Sequence, residues 1–360
     1  MNNDFEISVA PMMDWTDRHC RYFHRLIAPH VLLYTEMVTT GALIHGDSER
    51  FLRFDECEHP VALQLGGSDP ADLAQCAEMG AEAGYDEINL NCGCPSDRVQ
   101  SGSFGACLMR EPATVANCVA AMKAAVDVPV TVKCRIGIDE EDSFEFLDRF
   151  VGEIADKGCE TFIIHARSAW LKGLSPKENR DVPPLNYARA HEIKAKYPQL
   201  RIILNGGIRD IKTIQNTKSN QSTLSSDKAQ GATRINNTQA TQQRSSEGKG
   251  RRLDGAMIGR EAYQNPYFLA EIERKIFGNH AILGRDKIAR SMIQYIKKQI
   301  EAFDTPVKSI TRHMMGLYHH QPGAKAWRRA LSEIPLMKDA DENVIEYALA
   351  QKDAATNKSS

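Results

Sequence analysis

The chain has 360 residues, of which 42% are apolar and 26% charged, with a formal net charge of −2. That length exceeds one average domain but suits a large α/β barrel with an appendage, and the composition is that of an ordinary globular protein. No stretch reaches the length of a membrane span, the acidic start Met-Asn-Asn-Asp-Phe-Glu lacks a basic-then-apolar leader, and near-neutrality leaves any nucleic-acid partner to a local basic patch.

Short β-branched or apolar runs alternate with longer amphipathic stretches. The runs are 7–13, 31–37, 61–67, 87–93, 130–137, 161–167, 201–207 and 255–261. Helical segments between them announce their ends: Asp69-Pro70 opens one, and Gly84 and Gly158 close others. Eight strands alternating with helices over this length predict a (β/α)8 TIM barrel. A doubly wound sheet is the rival, but neither glycine-rich nucleotide motif of such sheets occurs. Residues 215–252, rich in Ser, Thr, Asn, Gln, Lys and Gly, cannot bury a core. They are expected to form a disordered insertion displacing part of the helix between strands seven and eight. The expected organisation is a barrel over 1–278, an all-helical C-terminal domain over 279–355 and a tail over 356–360.

Nine scattered cysteines, an odd number, favour reduced thiols and a cytoplasmic location. Cys92 and Cys94 have no second pair and no histidine at ligand spacing, so no metal is expected. A monomer is expected.

Strand alternation decides which residues face the barrel interior. Ala62 and Gln64, Asn89 and Asn91, Thr131, Lys133 and Arg135, His165 and Arg167, and Asn205 all fall on inward positions. Polar side chains from five strands thus converge on one mouth, which a polar ligand explains better than separately satisfied groups. Asn205-Gly206-Gly207 and Gly259-Arg260 fall where such barrels hold phosphate, although Gly206-Gly207 alone also reads as a tight turn. Pro11, Met12 and Met13 form a surface suited to a flat ring. With Lys133 between them, or alternatively in an internal ion pair, the set suggests FMN. Cys94 follows an inward strand tip in a Gly-Cys-Pro turn, where a thiol of pKa ~8.5 can donate a proton. The acid-free run 305–332 carries Lys308, Arg312, Lys325, Arg328 and Arg329, interleaved with Tyr318 and Trp327 as candidates to stack on bases; its bland reading is a solvated helix face. Lys172, Lys177 and Arg180 form a second basic patch.

The runs Ala10-Pro-Met-Met-Asp-Trp-Thr-Asp17, Leu63-Gln-Leu-Gly-Gly67, Asn89-Leu-Asn-Cys-Gly-Cys-Pro95, Val132-Lys-Cys-Arg-Ile-Gly137, His165-Ala-Arg167, Asn205-Gly-Gly-Ile208 and Met257-Ile-Gly-Arg260 resemble tRNA-dihydrouridine synthases. The stretch 165–185 resembles their A type, which modifies uridines 20 and 20a. The resemblance covers nearly all of the chain except 215–252. It implies FMN held by Pro11, Met12, Met13, Gln64, Lys133, His165, Asn205, Gly206, Gly207, Gly259 and Arg260. It further implies Cys94 as proton donor, Asn91 on the target base, and NADPH (or NADH) as reductant. By the same resemblance, tRNA contacts are expected at Arg167, Lys177, Glu178, Arg180, Asp181, Arg312, Arg328 and Arg329. Two rivals remain open: an FMN barrel acting on a free small molecule, and a non-catalytic RNA-binding barrel.

Overall fold

A computed structural model describes residues 5–96, 102, 104–219, 252–336 and 340–357. Eight parallel strands close into a barrel in sequence order: β1 (Glu6–Val9), β2 (Leu32–Thr39), β3 (Val61–Gly66), β4 (Glu87–Cys92), β5 (Val130–Arg135), β6 (Thr161–His165), β7 (Arg201–Asn205) and β8 (Gly255–Ile258). Most strands stop before their apolar runs do. After β1 the chain leaves the ladder at Pro11, which has no N–H to donate. The residues left over, 10–13, 206–207 and 259–261, become the rim of the barrel mouth.

Local chemistry places the helices as the sequence indicates. Asp69 accepts from the Ala71 and Asp72 amides with Pro70 at the first helical position, and Gly84 and Gly158 adopt positive φ beyond their helices. The register sets Gln64 beside Asn89, Asn89 beside Thr131, Asn91 beside Lys133, and His165 beside both Arg135 and Asn205. The expected inward residues on the strands therefore share one interior; Arg167, also expected inward, lies beyond the end of β6 and turns to loop carbonyls instead.

Two expectations need correction. The helix between β7 and β8 runs Ile211–Ser219, because Ile211 and Ile214 bury against the core and Thr217 bonds back to the Thr213 carbonyl. The first five residues of the polar stretch are thus helical; 220–251 lie outside the described residues. Likewise the last helix, Val344–Asn357, continues two residues into the expected tail.

Beyond the barrel the described chain is helical, with Arg285–Phe303, Ala324–Glu333 and Val344–Asn357 as its main elements. Asp17 ties this region to the barrel. It caps the helix Arg18–Ile27 and also meets Arg312 at 2.7 Å and His313 at 3.0 Å. Beside it, Tyr22 stacks on Tyr295, whose hydroxyl bonds His19. Tyr318 and Trp327, expected to stack on bases, are core residues instead. Trp327 is fully buried, packs edge-on to Tyr318 and donates its indole N–H to the Met314 carbonyl at 3.0 Å. Helical period explains this: Trp327, Ala330 and Leu331 face inward while Arg328 and Arg329 face water.

Candidate active site

At the C-terminal end of the strands lies a cavity of about 420 Å³, within the range of small-molecule sites. All eleven residues expected to hold a cofactor line it: Pro11, Met12, Met13, Gln64, Lys133, His165, Asn205, Gly206, Gly207, Gly259 and Arg260. Asn91, Cys94 and Arg180 line it too.

The wall at β3 and β4 is a set of mutually oriented carboxamides. Asn91 donates to the Gln64 oxygen at 2.8 Å, and Gln64 donates to the Asn89 oxygen at 2.7 Å. Asn91 accepts from the backbone N–H groups of Gly93 and Cys94, both at 3.0 Å. Its oxygen therefore shapes the turn that presents the thiol, and among the described residues one of its N–H groups remains for a ligand. Gln64 likewise keeps one N–H. Cys94 is half-buried; its thiol donates to Ser96 at 3.4 Å, and its carbonyl accepts from Ala106.

Cations surround this thiol. Lys133, Arg135 and Arg180 all lie within its electrostatic reach. The Lys133 ammonium makes no hydrogen bond or ion pair among the described residues, so the alternative of an internal ion pair is not realised there. Burial, with Arg135 second, lowers its pKa from 10.5 to about 8. Burial and the same two cations hold His165 well below the ordinary histidine range, so its imidazole is neutral at pH 7. Arg135 itself is a brace that sequence reasoning pointed inward without giving it a task. It donates to Gly93 beside Cys94 and, on the far side, to Asn179 at 2.9 Å in the loop after β6.

The opposite end is built from glycine and arginine. Gly206 and Gly207 hold φ of 111° and 66°. A Cβ on Gly206 would lie 2.6 Å from His165 Cδ2, and one on Gly207 2.5 Å from Leu185. Asn205 donates to the Met257 carbonyl, locking β7 to β8. Arg260 makes a bidentate pair with Asp181, at 2.9 and 2.6 Å. Arg209 also lines the cavity; nothing in its spacing had marked it.

The expected tRNA residues do not all join this cavity. Arg167 reaches the carbonyls of Asp181 and Pro183, while Lys177 and Glu178 are exposed on the same loop. In the C-terminal region Arg328 is exposed without an ion pair among the described residues, Arg329 pairs with Glu333, and Arg312 is committed to Asp17. Among the described residues no acidic or thiol cluster could hold a metal, and no helix is long and apolar enough to cross a membrane.

A closed (β/α)8 barrel with a polar cavity at the C-terminal strand ends, a thiol at its rim and cations below defines a barrel enzyme. A family model for dihydrouridine synthase matches residues 8–249 and 235–354, and the chain belongs to that family. It is 52% identical over 353 residues to a tRNA-dihydrouridine(20/20a) synthase of Vibrio cholerae, covering 98% of each chain. Proteins of the same description from Escherichia coli O6:H1 (51% identical, 96% of this chain and 95% of the relative) and Shewanella oneidensis (50%, 96% and 94%) are similarly close.

Proposed function

We propose that this enzyme reduces the C5=C6 bond of uridines 20 and 20a in the tRNA D-loop to dihydrouridine, with FMN as cofactor and NADPH as reductant. The observation that carries the reading is the single cavity joining the thiol of Cys94 to Lys133 and to the Gly206-Gly207 cradle. The residues fit FMN chemically. Lys133 lines the cavity with an ammonium that has no ion pair among the described residues, and His165 is a neutral imidazole. The glycines leave room where any Cβ would clash, and Arg260 and Arg209 supply positive charge for a phosphate.

Reduced flavin, when bound, supplies the hydride that adds to C6 of uracil. Cys94 then gives its thiol proton to C5, and solvent reprotonates the sulfur. Asn91 meets the base through its remaining N–H while its oxygen holds the Cys94 turn. Lys133, lining the cavity, would hold negative charge developing on the cofactor ring. A base inside folded tRNA must leave its stack to reach the mouth. Lys177 and Arg180, with Arg167, Glu178 and Asp181 shaping their loop, receive the surrounding RNA; Arg328 and Arg329 hold it from the helical region, and Arg312 sets that region against the barrel. Such a substrate is met in the cytoplasm.

The test uses purified protein, NADPH and unmodified tRNA transcripts, with mass spectrometry locating any uridine that gains two hydrogens. Gain at 20 and 20a is expected, with Cys94→Ala retaining flavin but losing most turnover. Full turnover in that variant would refute the proton-donor role. Flavin without tRNA reduction would move the reading to a small-molecule oxidoreductase.

A further inference from the structure

Beneath the cavity a line of buried polar side chains crosses the barrel interior to a carboxyl that no step above uses. Its top is the pair of backbone N–H groups at Gly93 and Cys94, which can only donate, and both donate to Asn91 Oδ1. Asn91 donates to Gln64 Oε1 at 2.8 Å, Gln64 to Asn89 Oδ1 at 2.7 Å, and Asn89 to Thr131 Oγ1 at 2.8 Å. Thr131 donates to Glu87 Oε1 at 2.7 Å, and Tyr34 donates to the same oxygen. Every one of these side chains is buried.

All the bonds run one way. A carboxamide can turn over and exchange donor for acceptor, so a chain of three amides has no intrinsic direction. Here the two ends supply it, because peptide N–H groups enforce an acceptor at Asn91 and the carboxyl oxygen enforces a donor at Thr131. Remove the lower end and the Thr131 hydroxyl is free to donate upward to Asn89 rather than accept from it, which lets the amides reverse. A reversed Asn91 would point its NH2 at the Gly93 and Cys94 amides and open the turn that presents the thiol.

We propose that Glu87 is a positioning residue for Cys94, acting as the terminal acceptor of this one-way hydrogen-bond chain through Thr131, Asn89, Gln64 and Asn91. Burial first, then the nearby Glu6, pushes the Glu87 carboxyl up. Oε1 accepts whether that group is ionised or neutral, so an acceptor, not a charge, is what the chain requires. The consequence for turnover rests on Cys94 as proton donor; the consequence for the thiol's position does not.

The test compares Glu87→Gln, Glu87→Leu and Thr131→Val in the purified protein. The readouts are kcat and KM on tRNA, and the rate at which iodoacetamide alkylates Cys94, resolved by peptide mass spectrometry with exposed Cys57 as the reference on the same chain. Glu87→Gln, which keeps an acceptor, should match the native protein within about twofold in both readouts. Thr131→Val and Glu87→Leu should change Cys94 alkylation relative to Cys57 and lower kcat about tenfold or more with KM nearly unchanged. Should Glu87→Leu fail to fold, the near-isosteric Thr131→Val carries the test. Alkylation at the native rate in Thr131→Val overturns the proposal, whatever kcat does. So does Glu87→Gln behaving like Thr131→Val. Altered alkylation with native kcat supports the positioning chain and refutes Cys94 as the donor instead.

Discussion

Replacing Lys133 by methionine should make the cofactor-free protein more stable while abolishing flavin retention. The ammonium sits inside the mouth without an ion pair among the described residues, and burial with Arg135 lowers its pKa from 10.5 to about 8. At about 1.36 kcal/mol per pKa step, holding that charge costs about 3 kcal/mol in the folded state. Water at the mouth screens part of this, so methionine, of similar length and uncharged, should gain about 1–2 kcal/mol at pH 7. The sign has a pH signature. Between pH 8 and 10.5 the unfolded chain keeps the lysine proton and the folded chain has lost it, so native stability rises with pH through that window. The thioether of the Lys133→Met variant cannot titrate, so the gap between variant and native protein should close as pH rises from 8 to 10.5. Urea unfolding of both proteins, stripped of flavin so that ligand binding does not add stability, measures this at about pH 7, 8.5 and 10. A variant less stable than the native protein at pH 7, or a gap indifferent to pH, would show that Lys133 has a structural partner.

Gly206→Ala should lower stability by about 2 kcal/mol or more and weaken flavin retention, since φ is 111° and the new methyl would lie 2.6 Å from His165; unchanged melting and flavin content would contradict the cradle. Burial pushes His19 and His24 down to about 3, so both fold neutral, and their contribution is present above pH 6.5 and lost as pH falls towards 3. Unfolding free energies from urea titrations should therefore fall below pH 6.5, by up to about 2.7 kcal/mol per pH unit, and a flat profile to pH 4.5 would refute it. Arg328→Ala should reduce the slope of tRNA affinity against salt by about one, and Arg329→Ala by less, because Arg329 already pairs with Glu333. Equal losses measured by filter binding would argue that the pair breaks on binding.

What strand alternation could reveal was which face a side chain takes, and there it sufficed. Gln64, Asn91, Lys133, His165 and Asn205 come from five strands and meet in one cavity because each occupies an inward, mouth-proximal position of a regular barrel. Alternation says nothing of what an amide does once inside. Asn91 looked free to meet a base, yet its oxygen is used by two backbone amides only two and three residues on. Arg260 looked like a phosphate ligand, and its present partner is Asp181, seventy-nine residues away in sequence. The acid-free run from 305 to 332 misled for another reason. On a helix, charge and aromatic residues that interleave in sequence separate onto opposite faces, which sends Trp327 to the core and Arg328 to water.

The contact most revealing of how the parts act together is Arg135, whose guanidinium takes carbonyls from two loops at once. One is Gly93, next to the thiol; the others are Ser168 and Asn179, in the loop that carries Lys177, Arg180 and Asp181. That same loop is anchored within itself by the fully buried Asn179, which receives the Trp170 amide and donates to the carbonyls of Trp170 and Leu174. Asp181 in turn holds Arg260 at the glycine end of the cavity. The Cys94 turn, the loop after β6 and Arg260 are thus joined by charge-assisted bonds rather than attached separately to the barrel. Such bonds are stronger and more directional than neutral ones, so a shift in the loop after β6 would be felt at both ends of the cavity. In the proposed reaction, a base delivered by that loop would meet a Cys94 turn held by the same guanidinium.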